Sequence, residues 1–200
     1  MTRLGILLSG RGSNFQAIHR AIECGQLEAE IACVISNVPD AAGLDYAKAK
    51  GLPVFALNSK GIKRTDFDEQ LVAILADSRV DLICLAGYMR LLSKDFIAAY
   101  AGKILNIHPS LLPAFPGLHA QQQAFAAGVK TTGCTVHYVD EGLDTGPIIA
   151  QASVEVLEDD TAETLGARIL EQEHRLYPQA IQDVIARTAS TKRSMSASSL

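Results

Sequence analysis

The segment LGILLSGRGSNFQAIHRAI, Leu4 to Ile22, decides the fold. It opens as a short apolar run, stops at Ser9-Gly10, and then repeats Phe15, Ile18 and Ile22 at helical spacing. Strand, glycine turn and amphipathic helix in direct succession read as the first half of a β-α-β unit. The alternation continues with a strand over Ile31–Ser36, a helix over Leu44–Lys50 stopped by Gly51, a strand over Pro53–Leu57, a helix over Thr65–Asp77 and a strand over Val80–Ala86. Strands separated by helices in this way predict an α/β domain built on a largely parallel sheet.

Beyond that point the spacing predicts a short helix at Ser93–Tyr100 opened by a serine cap, a strand at Lys103–Ile107, and a helix at His119–Ala127 ended by Gly128. The rhythm then changes. Thr132–Val139 and Pro147–Val156 are extended segments separated only by Asp140–Gly146, so the sheet is expected to finish with strands of mixed direction. A closing helix over Ala162–Arg187 carries an apolar stripe of Leu165, Ile169, Leu176, Ile181 and Ile185, with a kink expected at Pro178. From Thr188 the serine-rich TASTKRSMSASSL offers little to bury, which predicts one folded domain over 1–187 and a disordered tail over 188–200. The tail does not end in the Ser-Lys-Leu address.

At 200 residues and 48% hydrophobic content the chain can bury one substantial core. A formal charge of −4 provides no broad basic surface for nucleic acid, and no apolar run approaches membrane-span length, so a cytoplasmic protein without nucleic-acid or membrane partners is expected; monomer and homodimer are both left open. The four cysteines are scattered, without C-x-x-C, and read as buried free thiols. The five histidines show no metal spacing, so no metal site is expected.

Ser9-Gly10-Arg11-Gly12-Ser13-Asn14 is not a dinucleotide fingerprint, because Phe15 stands where the third glycine belongs, and no Gly-Lys-Ser/Thr comes after it to make a Walker loop. It reads either as a plain turn capped by Ser13 or Asn14, or as a helix N-terminus whose free amides hold one phosphate or carboxylate.

The chemistry concentrates in LNIHPSLLPAFPG, Leu105 to Gly117. Alternate residues of an extended backbone point the same way, so Asn106 and His108 should project together from a strand's C-terminal end, the edge where open α/β sheets bind ligands. Pro109 biases His108 toward extended backbone, and Pro113 and Pro116 limit the freedom of the loop beyond it. An amide and an imidazolium suit a carbonyl carbon accumulating negative charge on its oxygen. Asp144, in the glycine-flanked loop DEGLDTGP, is the candidate carboxylate to favour the protonated ring and accept a proton. With no G-x-S-x-G elbow and no activated cysteine, the nucleophile is expected from a substrate. The alternative reading makes Asn106 a turn former and His108 a loop residue.

SGRGSN, AGYMRLL at Ala86–Leu92, LNIHPSLLPAFPG and DEGLDTGPII at Asp140–Ile149 together resemble the folate-dependent formyltransferases, in consistent order over about residues 3 to 180. The resemblance implies a three-layer, Rossmann-like α/β formyltransferase fold with a mostly parallel mixed central sheet. It implies 10-formyltetrahydrofolate as donor, 5-phosphoribosylglycinamide of de novo purine synthesis as acceptor, and Asn106, His108 and Asp144 as the catalytic trio. It further implies substrate contacts from Gly12, Ser13, Asn14, Gln172 and Glu173, and folate contacts from Arg64, Met89, Arg90, Leu91, Leu92, Asn106, Asp140, Glu141, Gly142, Leu143 and Asp144. Formyl transfer to transfer RNA is not expected, for lack of room for a second, RNA-binding domain. The competing expectations are a formyltetrahydrofolate hydrolase and a non-catalytic folate or phosphometabolite sensor.

Overall fold

The computed structural model describes the backbone of residues 1–197 and the side chains to Ser190. β1 (Thr2–Leu8), β2 (Ala29–Ser36), β3 (Val54–Ala56), β4 (Leu82–Leu85), β5 (Ile104–His108), β6 (Thr131–Tyr138) and β7 (Ile148–Glu155) form one sheet of order β3-β2-β1-β4-β5-β6-β7. The pairs from β3 through to β5 are parallel, whereas β5–β6 and β6–β7 are antiparallel. The mixed sheet expected from the loss of intervening helices after residue 131 is therefore present. From β1 the chain first builds outward through β2 and β3, then returns to lay β4 on the other side of β1. A crevice opens at such a reversal, at the C-terminal ends of the strands.

Period two explains why an interior strand reads as continuously apolar. Leu4, Ile6 and Leu8 of β1 face one core with α1 (Ser13–Glu23), α2 (Ala42–Ala49) and α6 (Ala162–Ala197). Leu7 faces the other core with Phe67, Leu71 and Leu75 of α3 (Arg64–Asp77) and Phe96 of α4 (Lys94–Ala99). Helices on both faces of one sheet give the three layers. The remaining helix, α5 (Ala120–Ala126), packs against α6. Tyr177, fully buried on α6, donates its hydroxyl to the carbonyls of Leu85 at 3.1 Å and Leu105 at 3.0 Å, tying the helix to adjacent strand ends.

Two expectations need correction. The last helix passes Arg187 and runs to Ala197, so the tail expected to be disordered from Thr188 is helical over that stretch; residues 198–200 lie outside the described residues. No glycine or proline interrupts Thr188–Ala197, and extending a formed helix adds one hydrogen bond per residue without a new nucleus. Cys33, Cys84 and Cys134 are buried thiols as expected, but Cys24 is exposed, because it falls at the C-cap of α1 rather than on its apolar face.

Candidate active site

The glycine turn after β1 delivers a helix N-terminus without a side-chain cap. Gly12 is the N-cap of α1 at φ 68°, left-handed backbone that favours glycine, and no side chain bonds the first-turn amides. Neither Ser13 nor Asn14 is the cap. A cavity of about 230 Å³ stands over the turn, lined by Ser9 to Asn14 on one side and by Ala86, Gly87 and Met89 on the other. It lies at the β1–β4 reversal.

The Asn14 side chain turns toward α6, where its Nδ2 donates to Glu173 Oε2 at 2.6 Å. Two residues far apart in sequence thus meet beside the first turn of α1. Glu173 is 5% exposed, and burial pushes its carboxyl up to about 7 against the opposing effect of the Asn14 hydrogen bond. Asn14 Oδ1 is buried without a partner, an acceptor in want of a donor. Gln172, the preceding residue on α6, is half-buried.

The second group of residues forms where β5 ends. Asn106 and His108 sit opposite His137 and Thr135 of β6 across the antiparallel ladder. The loop between β6 and β7 returns Asp144 to this edge, with Oδ2 3.4 Å from His108 Nδ1 and Oδ1 3.7 Å from His137 Nε2. Asp144 Oδ2 also accepts the Gly117 amide at 2.8 Å, anchoring the proline-rich corner to the loop. His108 Nε2 lies 2.9 Å from the Phe115 carbonyl. An oxygen acceptor therefore faces each nitrogen of the 5% exposed ring. The contact to Asp144 is long for a charge-assisted hydrogen bond, which leaves Nδ1 able to share its proton with an incoming oxygen.

His137 is the residue that spacing does not single out. Its Nδ1 lies 2.8 Å from the Tyr138 carbonyl, which requires a proton there, and its Nε2 lies 3.2 Å from Asn106 Nδ2. Burial lowers its pKa and outweighs the nearby Asp144 carboxylate, so the neutral ring prevails with Nε2 as acceptor. That ring takes one hydrogen of the Asn106 amide and leaves the other free. The signal for His137 is the ladder register, visible only once β5 and β6 are paired.

The expected folate residues divide by structural task. Met89 and Leu91 are 69% and 60% exposed and Leu143 is 56% exposed, so each carries apolar surface in water, while Leu92 is buried. The Arg90 side chain is engaged within the protein. Its guanidinium donates to the Ser59 and Ile62 carbonyls at 3.2 and 2.8 Å and lies over the Phe67 ring, so the side chain holds protein rather than facing outward. Arg64 is exposed at the first position of α3. Asp140 Oδ1 accepts from Gly142 N at 3.0 Å and Thr145 Oγ1 at 2.8 Å, shaping the loop from within. Glu141 pairs with Lys94 at 3.0 Å on the surface. Among the described residues no group of three or more His, Cys, Asp or Glu could hold a metal ion, and no helix is long and apolar enough to cross a membrane.

The fold and this edge define an α/β enzyme of the formyl transferase family: the family matches residues 2–181, and the chain belongs to it. Its relatives narrow the class further. The phosphoribosylglycinamide formyltransferase of Bacillus subtilis (strain 168) is 46% identical over 186 residues, covering 92% of this chain and 95% of that protein. The solved phosphoribosylglycinamide formyltransferase of Bacillus halodurans superposes with a TM-score of 0.90 at 46% identity, over 94% of this chain and 97% of that one. The glycinamide ribonucleotide transformylase 1 of Symbiobacterium toebii gives a TM-score of 0.88 at 51% identity, over 91% of this chain and 86% of its own. The trifunctional purine biosynthetic protein adenosine-3 of Drosophila melanogaster is 46% identical over 190 residues, 94% of this chain, which spans 14% of that protein's length.

Proposed function

We propose that this chain transfers the formyl group of 10-formyltetrahydrofolate to the amine of 5-phosphoribosylglycinamide, a step of de novo purine biosynthesis. The observation that carries the reading is the meeting of Asn106, His108 and Asp144 at one strand edge, with Asp144 Oδ2 3.4 Å from His108 Nδ1. The uncapped amides of Ser13 and Asn14 at Gly12 bind the phosphate. Glu173, set by Asn14 and flanked by Gln172, accepts hydrogen bonds from the rest of the ribonucleotide. The exposed apolar groups of Met89, Leu91 and Leu143 fit the flat ring of a pterin, with the backbone from Arg90 to Leu92 available to its polar edge and Arg64 to its acidic tail.

The acceptor amine attacks the formyl carbon. As the tetrahedral centre forms, the free hydrogen of the Asn106 amide and the Nδ1 proton of His108 donate to its oxygen. Asp144 takes the proton released by the amine, directly or through one water, and the same relay protonates the folate nitrogen as its bond to the formyl carbon breaks. One carbon–nitrogen bond forms, one breaks, and the proton lost by the amine is regained by the leaving nitrogen. Holding both substrates at one edge supplies much of the acceleration.

The purified chain, given both compounds, should produce the formylated ribonucleotide with a matching change in folate absorbance. Formate release at the same rate with and without the ribonucleotide, and no formylated product, overturns the reading in favour of hydrolysis. Asn106→Ala should lower kcat by about 100-fold or more, the usual cost of one oxyanion donor.

A further inference from the structure

Beneath the β4–α4 loop lies a ring of hydrogen bonds that the proposed chemistry does not use. The Met89 amide donates to Ser9 Oγ at 2.8 Å, the Ser9 hydroxyl donates to Asn37 Oδ1 at 2.5 Å, and Asn37 Nδ2 donates to Ser59 Oγ at 3.2 Å. Arg90 completes the ring, because its guanidinium donates to the Ser59 carbonyl and it is bonded in sequence to Met89. The Ser9 amide adds a bond to the Gly87 carbonyl at 3.0 Å. These side chains come from the ends of β1 and β2 and from the loops after β3 and β4. Ser9 immediately precedes the glycine turn, and Met89 forms the facing wall of the same cavity. One half-buried hydroxyl, accepting from one loop and donating to another strand end, therefore ties the turn to the loop alongside the backbone bond.

We propose that Ser9 is a positioning residue whose hydroxyl sets the separation between the phosphate turn and the formyl-donor loop, and so the approach of amine to formyl carbon. This inference rests on the function proposed above, which gives the turn to one substrate and the loop to the other. Ser9 touches neither reacting atom. Its effect is on the distance between two subsites rather than on the shape of either, and a misplacement on the order of 1 Å between reacting groups can cost a large rate factor. Alanine removes the donor and the acceptor together, whereas threonine keeps both.

Ser9→Ala and Ser9→Thr are compared with the wild-type chain by steady-state kinetics, with each substrate's binary affinity measured separately by calorimetry. Ser9→Ala should lose about tenfold in kcat while both binary affinities stay within about twofold, and Ser9→Thr should recover most of the loss. Asn37→Ala, which removes the acceptor of the Ser9 proton together with the donor to Ser59 Oγ, should show the same signature at about threefold. Wild-type kcat in Ser9→Ala, a loss that tracks one binary affinity, or no recovery in Ser9→Thr overturns the inference. A wild-type chain that transfers no formyl group sinks the underlying function instead, so the two failures are distinct.

Discussion

The proposed chemistry depends on the direction of one amide. Asn106 can offer a hydrogen to a developing oxyanion only if its amide nitrogen faces the cleft, and His137 enforces that by accepting the other hydrogen at 3.2 Å. The arrangement requires a neutral His137 with its proton on Nδ1, which burial and the Tyr138 carbonyl together provide. His137→Phe keeps the ring volume and removes both nitrogens, so kcat should fall about tenfold or more. His137→Gln can still accept from Asn106 and donate to Tyr138, and should retain more activity than the phenylalanine variant. Equal kcat in His137→Phe and wild type removes His137 from the mechanism. Protonation of His137 also creates an acid limb, because it turns Nε2 from acceptor to donor and repels the Asn106 amide. Burial lowers this pKa from 6.5, so the loss should set in below that value in the wild type and be absent from the pH profile of His137→Gln.

At the scale of elements, the loop from Asp140 to Gly146 joins antiparallel strands and also carries the carboxylate. Asp144 holds left-handed backbone at φ 55°, which an aspartate tolerates better than most residues. The loop closes so tightly that a Cβ on Gly146 would stand 1.8 Å from the Tyr138 carbonyl oxygen. Neither backbone can yield without moving Asp144, which lies two residues away. Gly146→Ala should therefore lower kcat by about tenfold or more through a displaced carboxylate, with phosphate-turn binding of the ribonucleotide little changed. Unaltered kcat in that variant would separate the loop's geometry from the chemistry. This loop also marks where sequence reading runs out. The alternation of apolar runs and helical spacing predicts β1 through β5 and their helices, and alternate residues on a strand put Asn106 beside His108. Contacts that depend on strand pairing leave no local signal, so His137 stays hidden until the register sets it opposite Asn106. Side-chain direction is likewise unreadable at Arg90, whose guanidinium lies over the Phe67 ring. The helical stretch past Arg187 is equally hard to read, because serine-rich composition argues against order while carrying no stop signal.

Across the whole molecule, α6 is the element that joins the two halves of the site. Glu173 meets Asn14 of the first helix, and Tyr177, one turn on, fastens the same helix to the carbonyls of Leu85 and Leu105, next to the strand end that carries Asn106. The cost of this arrangement is a buried carboxyl whose hydrogen-bond donor in the protein is the Asn14 amide, and that cost depends on pH. Glu173 is held at about 7 in the folded chain against an ordinary 4.5, so the folded state keeps its proton over a range where the unfolded state has lost it. Its contribution is fully present below about 4.5 and is lost as pH rises toward about 7, beyond which the deficit is constant. Glu173→Gln replaces the carboxyl with an amide of the same shape that cannot ionise. Relative to wild type it should gain about 2 to 3 kcal/mol of stability between pH 5 and pH 8, measured by denaturant unfolding at each pH. A difference that stays flat across that window would mean that the Glu173 carboxyl is already ionised at low pH. The ribonucleotide, whose hydroxyl and amide hydrogens supply the missing donors, should narrow the same gap when it is bound to the wild-type chain.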